Sequence, residues 1–197
     1  TKRADRSMTL ARHSCAVLIA LVLSGCVEIL SPPLPPANLN FVGIASTGQG
    51  DLRLAFTSDV DLLSPEWTED GRAALNPHLF CSLDGDATFS LKHVMPRALE
   101  GTIGPESQVV RTKSGAYTYA VEMLFYETRD GGVTNTIIGS SDARGLIARR
   151  TTIPCKVVRA FPFSFTKPYY SKPMHVPVSA LLHALDNPQP RESPVGW

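Results

Sequence analysis

The chain has 197 residues, 43% of them apolar, and its 19 Lys and Arg against 18 Asp and Glu leave a formal net charge of +1. That length suits one domain with a sizeable core. A charge this near zero lacks the basic footprint of a nucleic-acid binder.

Residues 8–26, MTLARHSCAVLIALVLSGC, carry the order of a secretory signal: a basic start, an apolar middle and a small-residue exit. Arg12 supplies the basic start after Met8, with Lys2, Arg3 and Arg6 upstream, and residues 15–23 are unbroken apolar sequence. As a helix that run rises only about 14 Å, against roughly 30 Å of bilayer core, so it is too short to span a membrane. Its exit, Leu23-Ser24-Gly25-Cys26, resembles the lipobox of bacterial lipoprotein precursors. The chemistry suits these residue types, because small Ser24 and Gly25 give a peptidase access to the backbone and Cys26 offers a nucleophilic sulfur. The resemblance implies that Cys26 is acylated and becomes the first residue of the mature chain. By the same resemblance, Val27 stands where an Asp would retain a lipoprotein in the inner membrane, which implies the periplasmic face of the outer membrane, or the outer leaflet of the single membrane in a Gram-positive host. Met8 is the expected start.

The expected organisation is then a cleaved signal peptide (1–25), a lipidated cysteine with a proline-rich tether (26–40) and a single mainly-β domain (41–197). Without residues 1–25 the chain carries 15 Lys and Arg against 17 Asp and Glu, a net charge of −2. The charges are split along the chain. Residues 27–106 hold 11 acids and four bases, and residues 107–197 hold six acids and 11 bases, a pattern that would give a dipolar surface if the halves do not interleave. The same processing removes Cys15 and modifies Cys26. Cys81 and Cys155 remain, in an oxidising compartment, where the expected outcome is a disulfide and the alternative is two buried thiols. No second ligand at C-x-x-C or H-x-x-x-H spacing accompanies them, so zinc is not expected.

Residues 31–40, SPPLPPANLN, favour polyproline II and would act as a semi-rigid spacer unless they pack along the domain edge. Residues 41–45 and 52–57, around the turn-forming STGQG, suggest a first hairpin, with Leu52, Leu54 and Phe56 on its buried face. Residues 59–77 form an acidic loop (Asp59, Asp61, Glu66, Glu69, Asp70) without the fixed ladder of an EF-hand, which reads as a solvated loop. Residues 79–83 and 87–94 around Asp84-Gly85-Asp86 suggest a second hairpin, with Phe89, Leu91 and His93 on one face, and Pro96 and the GTIGP run break the pattern.

Residues 107–112 suggest a short strand, and residues 116–128 give the strongest strand signal, with Tyr117, Tyr119, Val121, Met123 and Phe125 on one face. A return strand is expected over 133–138, a loop over 139–145, and strands over 146–152 and 155–161. Residues 161–173 are rich in aromatics and proline and are expected to pack along the core. Pro177 is placed to start a helix whose apolar face carries Leu181, Leu182 and Leu185, with Asn187-Pro188 ending it.

The chain contains no G-x-S-x-G elbow, Walker loop, H-E-x-x-H or G-x-G-x-x-G motif. Ser140, Ser141 and Asp142 with the scattered His78, His93, His175 and His183 make no recognisable triad, and paired carboxylates of the glycosidase kind are a question of three-dimensional spacing. No catalytic residue, metal site or cofactor is therefore assigned, and the assigned residues are Cys26 for lipidation and Cys81 and Cys155 for the bridge.

About eight short strands, turn chemistry between them and one C-terminal helix point to a two-sheet β-sandwich, with a partly open β-barrel as the alternative. The leading functional expectation is an envelope lipoprotein, held at the membrane through Cys26, that binds another envelope protein or has a structural role. One form of it is an immunity protein against a periplasmic toxin. A small-ligand or metal-binding lipoprotein and an envelope hydrolase are the alternatives.

Overall fold

The alternation between residues 116 and 128 becomes the longest strand, β6 (Tyr117–Arg129). Tyr119, Val121, Met123 and Phe125 point inward and are buried, while Glu122 is exposed and Leu124 and Tyr126 are half-buried on the other face. Each inward side chain contributes about 2 kcal/mol by leaving water.

The computed structural model describes residues 34–46, 51–64, 75–90, 95–111, 115–129, 134–160 and 167–188. The chain divides into two units, Thr1–Leu30 and Ser31–Trp197, and the described residues all belong to the second. Ahead of β6 come β1 (Leu39–Ser46), β2 (Leu52–Ser58), β3 (His78–Ser82), β4 (Arg97–Thr102), a 3-10 turn (Pro105–Ser107) and β5 (Gln108–Arg111). After it come β7 (Thr134–Ile137), α1 (Ser140–Ile147), β8 (Thr152–Arg159), β9 (Tyr169–Tyr170), β10 (Met174–Pro177) and α2 (Val178–Asp186).

The strands form one antiparallel sheet in the order β1-β2-β6-β4-β3-β8-β10, with β5 and β7 also paired to β6 and β9 paired to β8. β6 makes the sheet curl. Its first half pairs with β2, from Ser58 opposite Tyr117 to Leu52 opposite Met123. Its second half pairs with β4, from Leu124 opposite Glu100 to Glu127 opposite Arg97. Beyond that, β4 continues beside β3 (Gly101 opposite Leu79, Thr102 opposite His78), and a Cβ on Gly101 would lie 2.2 Å from the Glu122 carbonyl oxygen. Only glycine permits that approach.

The two arms of the sheet wrap one core that runs from Leu39, Leu54 and Phe56 to Cys155, Val157 and Val176. This is the expected mainly-β architecture, a curled half-barrel that answers to either description, sandwich or open barrel. Its terminal strands approach each other, since β1 contacts β10 and α2 packs on both. The Lys172 N–H donates to the Ala37 carbonyl at 2.9 Å across that seam.

Several elements differ from the sequence expectations. β3 pairs with β4, not with residues 87–94; residues 87–89 are irregular, and 91–94 lie outside the described residues. Buried Ala98 and Leu99 with the close-approach Gly101 make residues 97–102 a strand where turn chemistry was read. Residues 140–147, expected as a loop and the start of a strand, form α1, a second helix beside the expected C-terminal one. Ala143 and Ile147, four residues apart, are its buried face, Asp142 sits favourably in its first turn, and exposed Gly145 misled the reading. α2 spans Val178–Asp186 with Pro177 at its N-cap, as expected, but buries Val178, Leu181 and Ala184, leaving Leu182 and Leu185 half-buried.

The expected tether also reaches onto the domain. Ala37 and Leu39 are buried, Leu34 packs against the core, and β1 starts at Leu39.

Candidate functional site

Cys81 and Cys155 stand directly opposite each other on β3 and β8, both fully buried, with Cα atoms 4.0 Å apart. They form a disulfide that spans 74 positions of sequence. It is a structural staple with no solvent access. Cys26, the assigned lipidation residue, lies outside the described residues, as do residues 1–25.

Two buried tyrosines fasten loops to the barrel. The Tyr169 hydroxyl accepts from the Ala37 N–H at 2.8 Å and donates to the Pro35 carbonyl at 3.2 Å. The Tyr119 hydroxyl accepts from the Leu62 N–H at 2.9 Å and donates to Asp61 Oδ1 at 3.1 Å, while its ring stacks on Phe56. Burial raises the pKa of both phenols above the ordinary tyrosine value. Arg159, nearly buried on β8, donates to the Leu62 carbonyl at 3.0 Å, and desolvation lowers its pKa to about 10, so it stays charged near neutrality. Asp59 accepts from the backbone and side-chain amides of Asn38. Asp59 and Asp61 of the acidic loop are thus committed to backbone and side-chain partners; Glu66, Glu69, Asp70 and Trp67 lie outside the described residues.

Among the described residues, the outer face of the sheet carries an acidic groove and a basic one. The first, about 330 Å³, is lined by Asp51, Glu100, Glu122, Thr102, Leu124 and Tyr126, where β4 parts from β6. Glu100 Oε1 lies 3.1 Å from His78 Nδ1, and the His78 ring stacks on Phe80. The second, about 390 Å³, lies between the Gly85 turn and the start of β8, with Arg149, Arg150, Thr151, Thr152 and His175 around it. Between the grooves, Glu100, Phe80 and Lys156 occupy one cross-strand row over β4, β3 and β8. Lys156 Nζ sits 5.2 Å above the Phe89 ring.

No family model, curated protein or solved structure matches this chain.

The chemistry must therefore be read from the geometry. Ser140, Ser141 and Asp142 open α1, His78 is on β3, His175 on β10 and His183 on α2, while His93 lies outside the described residues. Among the described residues, the side-chain hydrogen bonds of histidine go to Glu100 and Asn187, and neither partner is a serine. Nor do three or more His, Cys, Asp or Glu converge on a metal position among them.

Both grooves escaped the sequence reading, because their residues come from distant segments. A partial signal was present in the charge split. Asp51 and Glu100 come from the acid-rich half and Arg149 and Arg150 from the base-rich half, although Glu122 crosses the division.

Proposed function

We propose that this chain is an envelope lipoprotein, acylated on Cys26 and held at the periplasmic face of the outer membrane, whose β-domain works as a protein-binding or structural accessory module. The observation that carries the reading is the run from Met8 to Leu23-Ser24-Gly25-Cys26, with its basic start, short apolar stretch and small-residue exit. The seating of Ala37 beneath Tyr169 is compatible with it. Eight positions separate Cys26 from Leu34, where the described domain begins, a reach of at most about 29 Å. Such a tether would keep the domain close to the lipid. The charged outer face, with an acidic and a basic groove, suits recognition of another protein better than chemistry on a small substrate, because no nucleophile and base meet there among the described residues.

The test is a native pull-down from periplasm with the Cys26→Ser chain. Recovery of a stoichiometric protein partner supports the module, and recovery of none under native conditions overturns it.

A further inference from the structure

We infer that the groove between the Gly85 turn and the start of β8 is a docking site for an acidic segment of a partner protein, an inference that rests on the binding role proposed above and gives it a surface. Three cationic or titratable side chains, Arg149, Arg150 and His175, surround one concavity of about 390 Å³, with the Thr151 and Thr152 residues beside them. All five of these residues are exposed.

Four other arginines of the described domain are held by partners. Arg97 is neutralised by Asp84 and Glu127, Arg129 by Glu127 and Arg144 by Asp186, while Arg159 is buried against the Leu62 carbonyl. Among the described residues, neither Arg149 nor Arg150 has a carboxylate within ion-pair distance. The acids of the adjacent turn are engaged elsewhere, Asp84 with Arg97 and Asp86 with the Thr88 N–H at 2.8 Å. The two arginines line one groove and have no carboxylate partner among the described residues, so they can receive carboxylates, which guanidinium groups bind in bidentate geometry.

Arg150 is also positioned. Gly85 has a φ of +73°, and a Cβ there would lie 2.0 Å from Arg150 Nη1, so the guanidinium rests directly on the turn backbone. Proximity to Gly85 thus fixes one wall of the groove and limits the freedom Arg150 must give up on binding. The volume falls in the range of pockets that take several side-chain-sized groups and exceeds the need of a single small anion.

The groove stands apart from the point where the chain enters the domain. Residues 35–37 dock level with Val157, since the Ser171 N–H bonds the Val157 carbonyl and the Lys172 N–H bonds the Ala37 carbonyl. The groove lies at the other end of β8, beside Thr152, roughly 15 Å away along the strand.

The experiment titrates the purified full chain, in non-ionic detergent, into a short fluorescent polyglutamate peptide and follows anisotropy across a salt series. The inference expects salt-sensitive binding that weakens about tenfold or more in R149A/R150A and is only partly restored in R149K/R150K, which keeps the charge but not the fork, with the melting temperature unchanged. Substitution E100Q/E122Q, in the acidic groove, should leave the affinity unaltered. Equal binding by R149A/R150A, or no binding by the parent chain, overturns the inference. So does inorganic phosphate displacing the peptide at matched charge, which marks a small-anion site, or arginine-dependent uptake onto anionic vesicles without peptide binding. The native pull-down separates the two claims: a partner retained equally by R149A/R150A keeps the module and removes the groove, whereas failure of the pull-down leaves the peptide measurement standing on its own.

Discussion

The Tyr169 hydroxyl and the Ala37 backbone, 132 positions apart, meet at 2.8 Å, with the Ala37 N–H donating to the phenolic oxygen. The same hydroxyl donates to the Pro35 carbonyl, so one side chain satisfies both backbone groups at the point where the chain enters the barrel. Together with the Lys172–Ala37 backbone bond it draws the start of the domain onto the seam beside β10. Tyr169→Phe leaves the buried Ala37 amide without its acceptor and should cost about 1–3 kcal/mol in urea unfolding. Hydrogen exchange at Ala37 should quicken more than at Val121 in the centre of β6. Equal effects at both positions would mean that the clamp acts only through global stability.

The disulfide gives a second prediction. A closed loop of the size set by its 74-residue separation is worth about 4 kcal/mol in the chain-entropy model. The Cys81→Ala/Cys155→Ala chain should therefore lose about that much, with the shortfall measuring strain or residual denatured structure. Thiol labelling of the denatured, unreduced protein should leave both cysteines unmodified, and two labelled thiols would sink the bridge.

These two cases show what could be read in advance. The alternation of β6 and of Leu52, Leu54 and Phe56 was legible because each strand has one face in the core, and a period of two is the direct imprint of that. The two cysteines were legible as a staple for one domain only once the lipobox resemblance set Cys15 and Cys26 aside; their apposition on β3 and β8 was not. β4 was obscured because Gly101, a strand glycine selected by the approach of Glu122, looks the same in sequence as a turn glycine. α1 was obscured because only two of its residues, Ala143 and Ile147, are buried. The grooves were invisible because pairing across β4, β6, β8 and β10 brings their residues together, and no local spacing encodes such pairing.

Gly101→Ala tests the crossing of β4 over β6. Its new Cβ would meet the Glu122 carbonyl oxygen at 2.2 Å, Met123 Sδ at 2.6 Å and Val121 Cγ1 at 2.7 Å. The backbone oxygen cannot move without shifting the sheet, so denaturant unfolding should register a loss of more than about 2 kcal/mol. A loss within about 0.5 kcal/mol would show that β4 slides freely at this point.

Alkaline pH should weaken the fold through its buried phenols. Unfolded tyrosine titrates near pH 10, whereas burial holds Tyr119 and Tyr169 higher in the folded state. Their contribution is therefore complete below about pH 10 and is lost as pH rises through the folded values, at up to about 1.4 kcal/mol per pH unit for each. Arg159 acts in the opposite sense, because its folded value is lowered to about 10 and the folded state sheds that proton first. Comparison of the parent with Tyr119→Phe isolates one phenol: the variant should lose stability less steeply above pH 10, and parallel curves would contradict the assignment.

The lipid anchor is the claim on which localisation, tether and partner all depend, and the intact mass of the chain extracted from membranes by detergent tests it most directly. The account predicts a species that begins at Cys26 and carries a diacylglyceryl group, with or without an N-acyl chain, and that is lost in Cys26→Ser. An unacylated chain, or one whose first residue lies elsewhere, would contradict it.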